Sequence, residues 1–277
     1  DVVIDSAKYG EGNRSDVFGS FGISVRDESG YVNVGSVGTG FSAVPNANLL
    51  TFGTSGIGKA YLEIQSKDIN FHIITRNKSL SDSSNLSYYM CDLSSTEDID
   101  ELISSINDKG ITINGFIHSA GITLPQNDEV SFETWEKTLK INFFSASKLI
   151  EGIKDIFSSN SSIVFVSSIG AVLGFEDNPS YQISKAALKQ FTKSLAVDLA
   201  PDTRVNCILP GYIKTEMSSK SFRDLDKRKK ISEKTLLDRW GEPLEVAKVI
   251  NFLISDESSY INGQSILVDG GWTAKGI

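Results

Sequence analysis

Cysteine and histidine are nearly missing from this chain: its 277 residues hold two of each, Cys91 and Cys207, His72 and His118. The cysteines lie far apart in sequence, which argues against a disulfide framework and for a reduced, cytoplasmic setting. Two Cys and two His without ligand spacing give no zinc pattern, so no metal is expected. Positive charge is also in short supply. The net charge of -8 argues against a general nucleic-acid or anionic-membrane binder. No apolar run reaches the ~20 residues of a membrane span, and the start shows no secretory-signal layout. What is present is an ordinary globular composition, 40% hydrophobic and 22% charged. That suits one large α/β domain, or a domain with a small appendage.

From Leu49 onward, strand-like and helix-like patterns alternate, which predicts a parallel sheet with helices on both faces. Leu49-Leu50-Thr51 reads as a short strand, and Gly53-Thr54-Ser55-Gly56-Ile57-Gly58 opens a helix from Lys59 onward. Further strands are expected at Phe71–Thr75, Leu86–Cys91, Gly115–His118, Ile163–Val166, Arg204–Leu209 and Gln264–Val268, about seven in all. Thr96–Ile106 reads as a helix, and Ser131 as the N-cap of a long helix through Trp135, Leu139, Phe143 and Leu149. Between Arg76 and Asp92 there is too little room for a full helix, so that crossover is expected to be abbreviated.

The chemistry concentrates in Ser180-Tyr181-Gln182-Ile183-Ser184-Lys185, with Ser168 thirteen residues before Tyr181. A helical pattern follows, so Tyr181 and Lys185 fall at i and i+4, on one face and one turn apart. A phenol beside a fixed ammonium is a plausible proton donor, because a nearby cation favours the phenolate. Ser168 follows a buried-strand pattern and so sits at a strand's C-terminal end, where open α/β sheets bind ligands. Glycines at the first strand-to-helix turn let backbone approach a pyrophosphate, and a helix N-terminus favours its charge.

Taken together, Thr51-x-Gly53-x-x-Gly56-Ile57-Gly58, Asp92-Leu93, Ser119-Ala120-Gly121, Asn142, Ser168, Tyr181-x-x-x-Lys185, Pro210-Gly211-Tyr212-Ile213-x-Thr215 and Asp269-Gly270-Gly271 resemble the short-chain dehydrogenase/reductase family. The likeness spans roughly residues 49–277 and implies a Rossmann-type doubly wound sheet, a small carbonyl or alcohol substrate, and a homo-oligomer, tetramer or dimer. It further implies that Tyr181 is the catalytic acid/base and that Lys185 holds the nicotinamide ribose and depresses the tyrosine pKa. Ser168 would bind the substrate oxygen and Asn142 a relay water. Thr51, Gly53, Ser55, Gly56, Ile57 and Gly58 would form the phosphate turn, with Asp92 at the adenine and Leu93, Ala120 and Gly121 beside it. Pro210, Gly211, Ile213 and Thr215 would line the nicotinamide.

Cofactor choice follows from charge. Thr75 is followed by Arg76, Asn77 and Lys78, cations that suit a 2′-phosphate, so NADP(H) is expected over NAD(H); Arg76 stacking on the adenine is the alternative. Two positions depart from the family. Phe52 replaces the first glycine of the loop and would crowd the adenosine phosphate, which keeps open a cofactor-impaired scaffold or binding protein. His118 stands where Asn is commonest, either as a general base or as a packed, hydrogen-bonded ring. Arg223 and Lys227 to Lys230 follow the Pro-Gly motif, either attracting an acidic substrate or forming a solvated helical face.

Residues 1–44 read differently, as a β-rich appendage with strands at Val2–Ile4, Val17–Val25 and Tyr31–Gly35 and a hairpin turn at Asp27-Glu28-Ser29-Gly30. Tyr9-Gly10-Glu11-Gly12-Asn13-Arg14, Val17-Phe18-Gly19-Ser20-Phe21 and Val37-Gly38-Thr39-Gly40-Phe41 resemble the first half of the OB-fold domain of ATP-dependent DNA ligases. Three strands cannot close a five-stranded barrel, and a local charge balance of -3 is wrong for gripping phosphates. A grafted appendage and a nucleic-acid-binding fusion are the two readings, with Pro45-Asn46-Ala47-Asn48 as the linker.

Overall fold

A computed structural model describes residues 2–9, 18–27, 30–38, 47–51, 53–77, 79–124 and 131–275, the first three spans as strands alone. The chain divides into two compact units, 1–45 and 46–277. In the first, β1 (Val2–Tyr9), β2 (Phe18–Asp27) and β3 (Gly30–Gly38) form an antiparallel meander. Asp27 of β2 pairs with Gly30 of β3, where the sequence placed the hairpin. Phe52, Lys78 and the glycines at 10, 12 and 40 fall outside the described residues, and with them the reading of Phe52 as an obstruction.

The second unit is a Rossmann-like α/β fold. Its elements, in order, are β4 (Ala47–Thr51), α1 (Gly56–Glu63), β5 (Asn70–Thr75), β6 (Leu86–Met90), α2 (Thr96–Asp108), β7 (Ile113–His118), α3 (Phe132–Leu139) and α4 (Ser145–Ile153). Then come β8 (Phe157–Val166), α5 (Pro179–Asp198), β9 (Thr203–Pro210), α6 (Ser219–Arg223), α7 (Leu225–Lys234), α8 (Pro243–Ile254) and β10 (Ser265–Val268). The seven strands are all parallel, in the order β10-β9-β8-β7-β4-β5-β6. Order reverses between β4 and β7, and a crevice opens there at the strands' carboxyl ends.

Period-2 alternation explains why short apolar runs fill both faces. Leu49, Ile74, Phe116, Ile163 and Phe165 point into one core with α2, α4 and α5. Their neighbours Leu50, Ile73, Ile117 and Val164 point into the other, with α1 and α8. Every one of these nine side chains is fully buried. No helix separates β5 from β6 among the described residues; side-chain bonds hold the crossover instead, Asn77 Oδ1 accepting from Ser79 N and Asp82 Oδ1 from Tyr88 N.

Two expectations need correction. Ala47 and Asn48 are not linker but the buried start of β4, paired with β5 and β7, because a central parallel strand needs more length than three residues. The single long helix after Ser131 is interrupted. Ser131 does cap α3 through Thr134 N, but Lys140–Phe144 widen into a π-helical turn before α4 resumes. Such a turn inserts one residue into the ladder and recurs at functional sites. Asn142 sits inside it, fully buried.

Candidate active site

A cavity of about 600 Å³ lies at the carboxyl ends of the strands. The turn from β4 into α1 contributes Ser55, Gly56, Ile57 and Gly58 to its wall. Gly56 has φ +51°, the left-handed region that glycine enters without strain. Gly53 stays behind the wall for a packing reason: a Cβ there would stand 2.8 Å from Leu50 Cδ2. Gly121, Pro210, Gly211, Ile213 and Thr215 line it as well.

Ser168, Tyr181 and Lys185 meet in the same cavity. Pro179 starts α5, fixing Tyr181 in the first turn with Lys185 one turn on. Ser167 Oγ donates to Lys185 O at 2.7 Å and Lys185 Nζ donates to Val166 O at 2.9 Å, so α5 is stitched to the end of β8. The ammonium stands 5.8 Å from the Tyr181 ring centre. Burial pushes Lys185 down to about 8. Burial likewise raises the Tyr181 phenol, with a hydrogen bond from Ser168 pulling the other way. Desolvation wins, and at neutral pH the phenol carries its proton.

Asn142 does not line the cavity; it supports it. Its Oδ1 accepts from Ile122 N at 2.7 Å, and its Nδ2 donates to Ile122 O at 3.0 Å and Ser184 Oγ at 2.9 Å. The side chain thus pins the loop after β7 to α5. Thr51 and Ala120 are also scaffold, joined by Ala120 N to Thr51 Oγ1 at 3.0 Å. Arg76 and Asp92 lie at the ends of β5 and β6, outside the cavity wall. Asp92 Oδ1 accepts from Ser94 N and Oγ, and those bonds, with help from Arg76, hold its carboxyl low. Leu93 packs into the core.

Sequence reading passed over Gln182, between Tyr181 and Lys185. Its amide takes Phe175 N at 2.8 Å and gives to Phe175 O at 2.8 Å and Asn178 O at 3.1 Å, clamping a loop that walls the cavity. Its place in the motif was visible, but its partners lie in an irregular loop that no periodicity marks. Phe175 packs edge-on against Tyr212 and Trp272, an aromatic wall. The basic run after the Pro-Gly motif mostly faces away: of it only Lys227 reaches the cavity, against the carboxylates of Glu176, Asp177 and Glu216. Arg223 ends α6 and Arg228, Lys229 and Lys230 lie on α7, all of them exposed, the solvated face that was one of the two readings.

A family model described as enoyl-(acyl carrier protein) reductase matches residues 60–273. The chain belongs to the short-chain dehydrogenase/reductase family. A tropinone reductase homolog of Arabidopsis thaliana is 33% identical over 82% of this chain and 93% of its own length. A cyclopentanol dehydrogenase of Comamonas testosteroni is 36% identical over 58% of this chain and 66% of its own. Among solved structures, a short-chain dehydrogenase family protein from Francisella tularensis superposes with a TM-score of 0.77 at 31% identity, covering 83% of this chain and 99% of that one. The amino-terminal strands precede the matched region, and the ligase likeness stays outside what these comparisons address.

The short-chain dehydrogenase/reductases use nicotinamide cofactors. Both forms occur among related structures: ElxO with NADP bound (27% identity, TM-score 0.74, 83% of this chain and 100% of that one) and 4-hydroxyisoleucine dehydrogenase with NADH (25%, 0.77, 83% and 100%). The residues here fit such a dinucleotide. The glycine turn at the α1 N-terminus leaves backbone open to a pyrophosphate, and Gly121 is equally constrained: a Cβ there would sit 2.9 Å from Lys185 Nζ. Among the described residues no helix is long and apolar enough to cross a membrane, and no group of three His, Cys, Asp or Glu could hold a metal ion.

Proposed function

We propose that this protein is an NADP(H)-dependent oxidoreductase that interconverts a carbonyl and an alcohol. The observation that carries it is one cavity holding Ser168, Tyr181 and Lys185 together with the glycine turn and the segment 210–215. When bound, the nicotinamide supplies or accepts a hydride. Tyr181 Oη then moves the proton. A phenol kept protonated by burial is the right acid for an oxygen that gains charge as the carbonyl is reduced. Ser168 Oγ donates to that same oxygen and orients it. Lys185, fixed by Val166 O, faces the ribose position and steadies the phenolate left after proton transfer. Asn142 keeps Gly121 and Ile122 in place beside Lys185.

NADP(H) rests on Arg76, a cation at the carboxyl end of β5, where a 2′-phosphate would be met. For the substrate, Phe175 and Tyr212 offer aromatic surface, and Glu176, Asp177 and Glu216 outnumber Lys227. That balance suits a neutral or cationic small ketone or alcohol over an acidic 3-oxoacyl carrier. The test is Tyr181→Phe. Turnover should fall by about 10²- to 10⁴-fold, the usual worth of a general acid, with NADPH binding nearly unchanged. Retention of more than about a tenth of the parent rate would refute the role.

A further inference from the structure

Gln182 follows Tyr181 on α5 and lines the same cavity, yet the bonds of its side chain run to the loop before the helix. Its Oε1 accepts from Phe175 N at 2.8 Å, and its Nε2 donates to Phe175 O at 2.8 Å and to Asn178 O at 3.1 Å. A backbone N–H can only donate and a carbonyl can only accept, so these partners fix which way round the amide stands. Both amide hydrogens are spent on the loop, which leaves the side chain no donor for a substrate. Gly170 makes room for it: a Cβ there would stand 3.3 Å from Gln182 Cγ. The loop is held from two further sides. The ring of Phe175 packs edge-on 6.3 Å from Tyr212 and 5.9 Å from Trp272, and Asn178 Nδ2 donates to Thr123 Oγ1 in the loop after β7. Phe175, Asn178, Tyr212 and Thr123 all line the cavity. Within the loop Asp177 has φ +63°, a left-handed conformation that costs a residue with a Cβ and persists where its surroundings impose it.

We propose that Gln182 is a positioning residue for substrate selection: it holds the wall formed by residues 175–178 beside Tyr181, so that compact ketones fit and ketones with bulk at their far end do not. With its backbone bound to Gln182 and its ring against Tyr212 and Trp272, Phe175 cannot swing aside to widen the cavity without breaking those contacts. The proposal rests on the reading of Tyr181 as the acid given above, and the experiment separates the two.

Gln182→Leu and Gln182→Glu are compared with the parent. Leucine removes every bond of the amide to the loop. Glutamate acts as a switch. Ionised, it keeps an acceptor for Phe175 N but sets an oxygen without a proton against two carbonyls; protonated, it copies the amide, one oxygen accepting and the hydroxyl donating. Those carbonyls favour its protonated form and raise its pKa. For each protein, kcat and KM are measured for cyclohexanone and for its para-tert-butyl derivative across pH. NADPH affinity is taken by fluorescence titration, and hydrogen exchange is followed in the peptide spanning residues 170–178. Gln182→Leu is expected to raise KM for cyclohexanone about fivefold, what one neutral hydrogen bond is worth. Its kcat and NADPH affinity should change less than about twofold, because binding of the substrate alone is weakened. KM for the bulky derivative should hold or fall, so the preference for the compact ketone shrinks, and exchange in the loop should speed up. Gln182→Glu should approach the parent at about pH 5 and Gln182→Leu at about pH 8, as its carboxyl ionises.

A Gln182→Leu protein with the parent's KM values would overturn the proposal, as would an equal rise for both ketones, a fall in kcat with KM unchanged, or loop exchange at the parent's rate. A parent that takes the bulky derivative as readily as cyclohexanone, or takes neither, would overturn it too. Should Gln182→Leu not fold, a Gln182→Glu protein whose KM follows the parent's across pH would overturn it alone. Hydrogen exchange needs no turnover. If the parent binds no nicotinamide, or Tyr181→Phe remains active, it is the reductase reading that fails, and exchange in the variants still decides whether Gln182 holds the wall.

Discussion

Lys185→Met should make the cofactor-free protein more stable while abolishing turnover. Lys185 is 3% exposed and has no ion-pair partner among the described residues. Its pKa falls from 10.5 to about 8 on folding, chiefly through burial. At about 1.4 kcal/mol per pH unit, holding the ammonium in the fold costs on the order of 3 kcal/mol at pH 7. Methionine fills nearly the same volume without a charge. It forfeits the bond to Val166 O, worth about 1.5–3 kcal/mol for a charged donor. The favourable packing of the thioether leaves a net gain of about 1 kcal/mol, or a rise in Tm of roughly 2–4 °C for a unit of this size. The pH dependence is the sharper signature. Between about 8 and 10.5 the unfolded chain binds this proton more tightly than the folded one, so the parent gains stability as pH rises through that window. Below 8 the penalty is fully present. The advantage of the variant should be greatest at pH 7 and should shrink toward pH 10. Melts by circular dichroism, without nucleotide, decide it. A variant that melts below the parent at pH 7, or a gap that does not narrow with pH, would refute the reasoning.

NADPH should bind more tightly than NADH, and Arg76→Ala should remove most of a one- to two-decade difference, the worth of a charged bond to phosphate; equal affinities in the parent, by fluorescence titration, would end this reading. Gln182→Leu should raise KM severalfold with NADPH affinity unchanged, because it releases the loop at Phe175 and Asn178 and leaves the glycine turn alone. A chain starting at Pro45 should stay folded and bind nucleotide as the full chain does, since a three-stranded meander buries too little apolar surface to hold itself. A fall in Tm beyond about 8 °C on that truncation would show that residues 1–44 are integral.

Much of this protein is written locally. Leu49-Leu50, Ile73-Ile74, Phe116-Ile117 and Ile163-Val164-Phe165 alternate cores with period 2, so adjacent apolar residues already imply a sheet covered on both faces. The glycine turn before α1 and the i, i+4 spacing of Tyr181 and Lys185 are likewise chain-local, and both were legible before any contact was known. The start of β4 was not, because Ala47 and Asn48 carry no strand signal of their own and are held by β5 and β7. Nor was the π turn at Asn142, since an apolar helical pattern runs through it without a break. Burial decided the rest. Whether a phenol rises or falls, whether a histidine is a base or a strut, and which charges of a basic run face a cavity all depend on what other elements place around each group. Those surroundings are set by residues 20 to 70 positions away, as in the bonds of Asn142 to Ile122 and of Thr51 to His118 and Ala120, and no window along the chain contains them.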